Sequence, residues 1–254
     1  MSIEQAKHFH PDSQFPRILK SVAEIHRINL SDQEIENIEV IVTACGIADD
    51  IVDTCSDSSL RKRIANEAIK FLRNQSNFIP ETGNKIHDSY VESMGYLKDF
   101  LDTLPLNRKE IFISCLNIWN KLSEKRRSEI NLDESIKLRV ADLGFTASIY
   151  LAGISDENRS NPKFRHLVRD IKNMVRIAGM LDDSFDLPRD FNENVVPIHP
   201  DFINRFKFLK KGVIMGIKSI PNLFNIELIN QSINIMIREY RRRGDNNLEQ
   251  YITN

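Results

Sequence analysis

The run Ile47-Ala48-Asp49-Asp50-Ile51-Val52-Asp53-Thr54 decides how this chain is read. It closes an apolar stretch that begins near Ile38 and sets three carboxylates where that stretch predicts burial. Asp49 and Asp53 are four residues apart, so on a helix they share one face a turn apart, and like charges at that spacing repel. Ser31 is predicted to cap the helix, with Glu34 as its capping-box partner. The acids then fall at the C-terminal end, where the helix dipole is also negative. A carboxylate cluster in that position needs water, protons, basic partners or metal ions. A second cluster, Leu181-Asp182-Asp183-Ser184-Phe185-Asp186, closes another predicted helix, which starts at Asn161-Pro162 and reaches Leu187. Pro188 lacks an amide hydrogen and is expected to stop it.

Working outward, the chain has 254 residues, 41% hydrophobic and 28% charged, the balance of an ordinary globular protein. Its net charge of −1 gives no electrostatic case for nucleic acid or an acidic membrane as partner. Nine Gly and nine Pro are few for this length and point to long helices with few tight turns. Cys45, Cys55 and Cys115 have no metal-type spacing and read as reduced thiols of a cytoplasmic protein. The N-terminal Met1-Ser2-Ile3-Glu4-Gln5 does not read as a signal peptide, and no apolar run is long enough for an integral membrane segment.

No segment sustains a period of two. Helical periodicity predicts helices over about 14–28, 31–55, 58–75 (capped by Asp57), 84–103, 107–129, 132–154, 161–187, 199–219 and 222–243. Residues 1–254 are therefore expected to form a single all-α domain, a helical bundle with a central apolar cavity. Gly144, inside an apolar helical run, predicts a kink or a close approach to another group. Phe112, Trp119, Phe145, Tyr150 and Phe185 fall at helical spacing and fill either the core or a substrate cavity. Arg139 and Asp142 are set for an i,i+3 ion pair or for a role at the site.

Each cluster reads Asp-Asp-x-x-Asp and sits at a helix end, Asp49 and Asp182 lying 133 residues apart. Two such clusters facing each other suit Mg²⁺, which takes oxygen ligands and shares them with substrate phosphates. Metal bridging a diphosphate stabilises it as a leaving group. Arginines nearby add donors to the same oxygens, and an apolar cavity behind keeps water from a carbocation.

These residues resemble the class I isoprenoid synthases. Asp49-Asp50-Ile51-Val52-Asp53 looks like the first aspartate-rich motif of that family, and residues 180–186 look like the second motif of its trans-prenyltransferases. Asp182, Asp186 and Asp190 match the spacing of the terpene cyclase metal triad, although Pro188 is expected to end the helix before Asp190. Arg139, Asp142 and Gly144 resemble the diphosphate sensor, linker and effector of bacterial terpene synthases, with the glycine one place off. Tyr240-Arg241 resembles their C-terminal Arg-Tyr pair in reversed order. The likeness covers roughly residues 35–243. It implies several Mg²⁺ ions, held by Asp49, Asp50 and Asp53 opposite Asp182, Asp183 and Asp186. Arg139, Tyr240 and Arg241 would grip diphosphate, and Asp49, Asp53 and Arg139 would carry the catalysis.

The expected function is that of a terpene synthase, a lyase that ionises a linear prenyl diphosphate. The residues before Asp49 contain nothing like the Gly-Gly-Lys-Arg segment of chain-elongating enzymes, and Phe145-Thr146 stands where they carry Lys-Thr. A squalene/phytoene-type transferase joining two prenyl diphosphates remains open, because Asp49/Asp53 and Asp182/Asp186 also satisfy its Asp-x-x-x-Asp pairs. So does a catalytically silent helical protein that binds a lipid. A homodimer is compatible with each.

Overall fold

The computed structural model describes residues 15–55, 57–77, 87–128, 130–192 and 195–219. Among them are nine α-helices and no strand. They are α1 (Phe15–Ile25), α2 (Asp32–Thr54), α3 (Ser58–Leu72), α4 (His87–Asp102), α5 (Leu106–Arg126), α6 (Leu132–Tyr150), α7 (Asp156–Arg159), α8 (Phe164–Asn192) and α9 (Phe202–Ser219), with a 3₁₀ turn at Leu151–Gly153. The all-α expectation is met. None of these helices is long and apolar enough to cross a membrane. The expected helix over 222–243 lies outside the described residues.

Helix α2 starts where the sequence places it. The Ser31 side chain accepts from the Glu34 amide, and the Glu34 carboxylate accepts from the Ser31 amide at 2.8 Å. Glu34 also accepts from the Ser155 amide and the Asn158 side chain, which pins the α6–α7 connection to the start of α2. Burial alone would raise the Glu34 pKa; these hydrogen bonds outweigh it and hold the carboxyl below its usual range. Asp57 caps α3 by accepting from the amides of Ser59 and Leu60.

From Ile38 onward α2 is apolar on nearly every side, and residues 41–47 are all buried. A helix of that kind belongs inside a bundle. It packs on α1, on α4, on α6 and on the 3₁₀ turn, within a core that includes Ile41, Ile47, Leu72, Leu101 and Ile113. A smaller core joins α6, α8 and α9 through Leu143, Met180, Leu187 and Phe208. Helix α6 contributes to both cores. Helix α9 buries Phe208 and Gly212 and leaves Phe202, Ile203, Phe206 and Ile217 exposed.

The second acidic helix corrects an expectation. Pro188 does not stop α8, which runs on to Asn192. A proline there removes the hydrogen bond that its own amide would give to the carbonyl of Ser184. That carbonyl accepts instead from Nε of Arg205 on α9, at 3.0 Å. The tertiary bond removes the main penalty, and Asp190 stays on the helix, two turns beyond Asp182.

Gly144 meets its expectation through close approach: a Cβ there would sit 2.5 Å from the Arg176 guanidinium, which crosses α6 and donates to the Val140 carbonyl. Gly153 is tighter, with backbone as well as side-chain atoms in the way. Its Cβ would lie 2.6 Å from Ile38 Cγ1 and 2.9 Å from the Ile38 amide nitrogen. Gly153→Ala is therefore expected to destabilise the protein by about 2–3 kcal/mol. Gly95, inside α4, has nothing within 4 Å of the added carbon, and Gly95→Ala is expected to stabilise by about 0.5–1 kcal/mol. Urea unfolding of the two variants against wild type reads both signs.

Candidate active site

The C-terminal halves of α2 and α8 come together around α6 and the end of α5. Arg139 on α6 is the tightest element. Its Nε donates to both carboxylate oxygens of Asp183 on α8 at 3.0 and 3.1 Å, and its Nη2 to Asp183 Oδ1 at 2.8 Å. Its Nη1 donates to Asp142 Oδ2 at 2.8 Å. Asp142 is 1% exposed and Asp183 4%. The Arg139–Asp142 pair is thus no surface pair: it sits beside the buried joint that Arg139 and Asp183 make between α6 and α8. Burial alone would lower the Arg139 pKa; the carboxylates of Asp183 and Asp142 outweigh it and hold the guanidinium firmly charged.

Three further arginines complete the group, none of them assigned a role from the sequence. Arg126 is the last residue of α5 and Arg127 caps it. Arg126 Nη1 lies 3.5 Å from Asp142 Oδ2, and its Nη2 lies 4.0 Å from Asp183 Oδ2. Arg127 Nη2 donates to Asp53 Oδ1 at the end of α2. Arg189 on α8 donates to Asp186 at 2.9 Å and to Asp190 at 3.2 Å. Two basic residues closing a helix are an ordinary complement to its dipole, so their sequence alone carries no sign of a site.

Asp49, Asp53 and Asp190 hold their protons more tightly than free carboxylates. Burial pushes the Asp49 carboxyl well up, and the neighbouring charges of Asp53 and Asp142 push it further, against Arg139. Asp53 is raised by burial although Arg127, Arg126, Arg139 and Arg189 all pull it down. Arginines at the end of α5 and on α6 and α8 thus all act on the end of α2. Burial lifts Asp190 to about 6, with Arg189 opposing and Asp183 adding to the rise. In each case loss of water outweighs the arginines nearby.

Asp50 and Asp182 are exposed at the rim, while Asp183 is taken up by Arg139. Asp49, Asp53, Asp186 and Asp190 are the half-buried acids, two on each helix. Among the described residues no three acidic, histidine or cysteine side chains gather closely enough to share one ion. Mg²⁺ commonly takes only one or two carboxylates and completes its shell with waters and substrate phosphates. The all-oxygen donor set, its excess of negative charge and the buried Asp142 Oδ1 without a hydrogen-bond partner fit that mode of binding.

An apolar cavity of about 30 Å³ adjoins this end of α2, lined in part by Ala44, Ala48, Val52, Ala68, Leu116 and Trp119. It has room for about two waters and no more. Of the aromatic residues expected at a cavity, Trp119 lines it. Phe112 is buried in the main core, Phe145 is half-buried, and Phe185 is 46% exposed on the acidic face of α8. Tyr240 and Arg241 lie outside the described residues. Comparison with models of protein families, with curated proteins and with solved structures found no match.

Removing Arg139 leaves two buried carboxylates uncompensated, so Arg139→Ala is expected to cost about 3–5 kcal/mol in urea unfolding. Asp190 behaves oppositely. Folded, it titrates at about 6 against 3.8 for the free side chain, so its ionisation above pH 6 weakens the fold and has no effect below about pH 4. Asp190→Asn is expected to stabilise the metal-free protein at pH 7.5, by about 1–2 kcal/mol after the lost Arg189 contact is set against it, and to leave it unchanged at pH 4.

Proposed function

We propose that this chain is a Mg²⁺-dependent class I terpene synthase with the isoprenoid synthase type of helical fold, acting on a linear prenyl diphosphate. One observation carries the proposal. Two Asp-Asp-x-x-Asp helix ends, 133 residues apart in sequence, come together in one half-buried site laced with arginines. Burial keeps Asp49 and Asp53 raised against the arginines nearby, and a bound cation would offset that burial.

In this reading Asp49 and Asp53 hold the ions from α2, and Asp186 and Asp190 hold them from α8. Asp50 and Asp182 stand at the rim, where the diphosphate enters. Bound Mg²⁺ supplies charge to the leaving diphosphate. Arg139 keeps α6 and α8 in register, so the two acid pairs stay opposed while the substrate binds. The bond between C1 and its oxygen breaks with its electron pair going to diphosphate. The resulting allylic cation then closes a ring or takes up water, and a proton is lost. The hydrocarbon is expected to enter beside Ala44, Ala48 and Trp119, where the alanines of α2 and α3 leave the least side chain to displace. A cavity of about 30 Å³ does not hold a prenyl chain, so α4 or α5 has to move aside on binding.

A second reading has its own support. Asp53, Asp142, Asp183, Asp186 and Asp190 all have arginine partners, the arrangement expected of a silent helical protein whose acids are structural. A transferase joining two prenyl diphosphates is the third. Gas chromatography–mass spectrometry separates them. Purified protein is incubated with geranyl, farnesyl and geranylgeranyl diphosphates, singly and in pairs, with and without Mg²⁺. The expected result is a hydrocarbon or alcohol from one diphosphate, absent without metal and reduced by about 100-fold or more in Asp49→Ala. A product containing two chains identifies the transferase. No product and no released diphosphate from any substrate contradicts the catalytic reading.

A further inference from the structure

The arginines of the site are not equivalent. Arg139 spends its donors on Asp183 and Asp142 at ordinary hydrogen-bond distances. Arg126 and Arg127 do not. Their side chains are only 9% and 5% exposed, yet the Nε of each has no hydrogen-bond partner. Arg126 reaches Asp142 and Asp183 only at 3.5 and 4.0 Å, too long for well-formed hydrogen bonds. Two adjacent buried guanidiniums therefore hold donors with no acceptor, and an unmet buried donor is costly. The missing partner is an acceptor, and at a cationic pair that means an anion. Arg127 meanwhile occupies Asp53, one of the carboxylates that a divalent cation would need.

We propose that Arg127 stands in for the metal on Asp53 when no metal is bound, and that an arriving divalent cation displaces it, with Arg126 beside it, onto a phosphate oxygen. This rests on the metal-and-diphosphate reading of the site and assigns the anion grip to the end of α5 instead of to Arg139. Two consequences follow from one exchange. Cation and Arg127 compete for Asp53, so removing the guanidinium favours the cation. The same removal takes away a phosphate donor, so it disfavours the anion. A purely structural Arg127 predicts weaker binding of both ligands on its removal, so tighter cation uptake is the change that separates the two roles.

The test measures Mn²⁺ uptake by electron paramagnetic resonance, and then inorganic diphosphate binding by calorimetry with Mn²⁺ saturating. Wild type, Arg127→Gln and Asp53→Asn are compared at equal helix content by circular dichroism. Arg127→Gln is expected to take up Mn²⁺ about fivefold or more tightly than wild type and to bind diphosphate about fivefold or more weakly. Arg127→Lys, which keeps the charge, is expected to shift both in the same directions by less, and it gives the answer if the glutamine variant does not fold. Mn²⁺ affinity equal to or below wild type in a folded Arg127 variant overturns this inference alone, provided that Asp53→Asn still weakens uptake. Wild-type protein that takes up no Mn²⁺ overturns the inference and the proposed function together.

Discussion

Arg139 sits between Asp183 and Asp142, and the rest of the site is built around that clasp. Each of the two carboxylates is nearly inaccessible to water, and a buried carboxylate is costly without a paired cation. The clasp ties α6 to α8, and α6 in turn contributes to both hydrophobic cores. It thereby fixes where the acidic face of α8 stands relative to the acidic end of α2. The other acids have partners that make single contacts: Arg127 on Asp53, and Arg189 shared between Asp186 and Asp190.

Much of this was legible in the sequence. The Ser31–Glu34 capping box, the Asp57 cap and the apolar run of α2 all follow from local rules, because each depends on neighbours within a few residues. Gly144 signalled a close approach, and the Arg176 guanidinium is what approaches. The misreading at Pro188 has a non-local cause. The cost of proline in a helix is partly an orphaned carbonyl, and the side chain that satisfies the Ser184 carbonyl comes from Arg205, 21 residues away on another helix. No pattern within α8 could announce it. With the helix continued, Asp190 joins Asp186 on the same element, which the sequence reading had set aside.

The arginines show the same limit. Arg139 drew attention through its spacing from Asp142, a local relation. Arg126 and Arg127 end a helix in the way that basic residues commonly do, and their meaning comes from α2 and α6 arriving beside them. What the aromatic residues border was not legible for a related reason. Aromatic residues at helical spacing mark buried faces, and packing decides whether a buried face meets another side chain or a void. Here Phe112 meets side chains, Trp119 borders a void of about 30 Å³, and Phe185 faces outward on α8.

The central claim is that the acids of α2 and α8 together form one cation site. Anomalous diffraction from crystals grown with Mn²⁺ and inorganic diphosphate tests it most directly. The account predicts manganese peaks between the two helices, within bonding distance of an oxygen of Asp49 or Asp53 on one side and of Asp186 or Asp190 on the other. Peaks confined to one helix, or none at the site while Arg127 remains on Asp53, would contradict it.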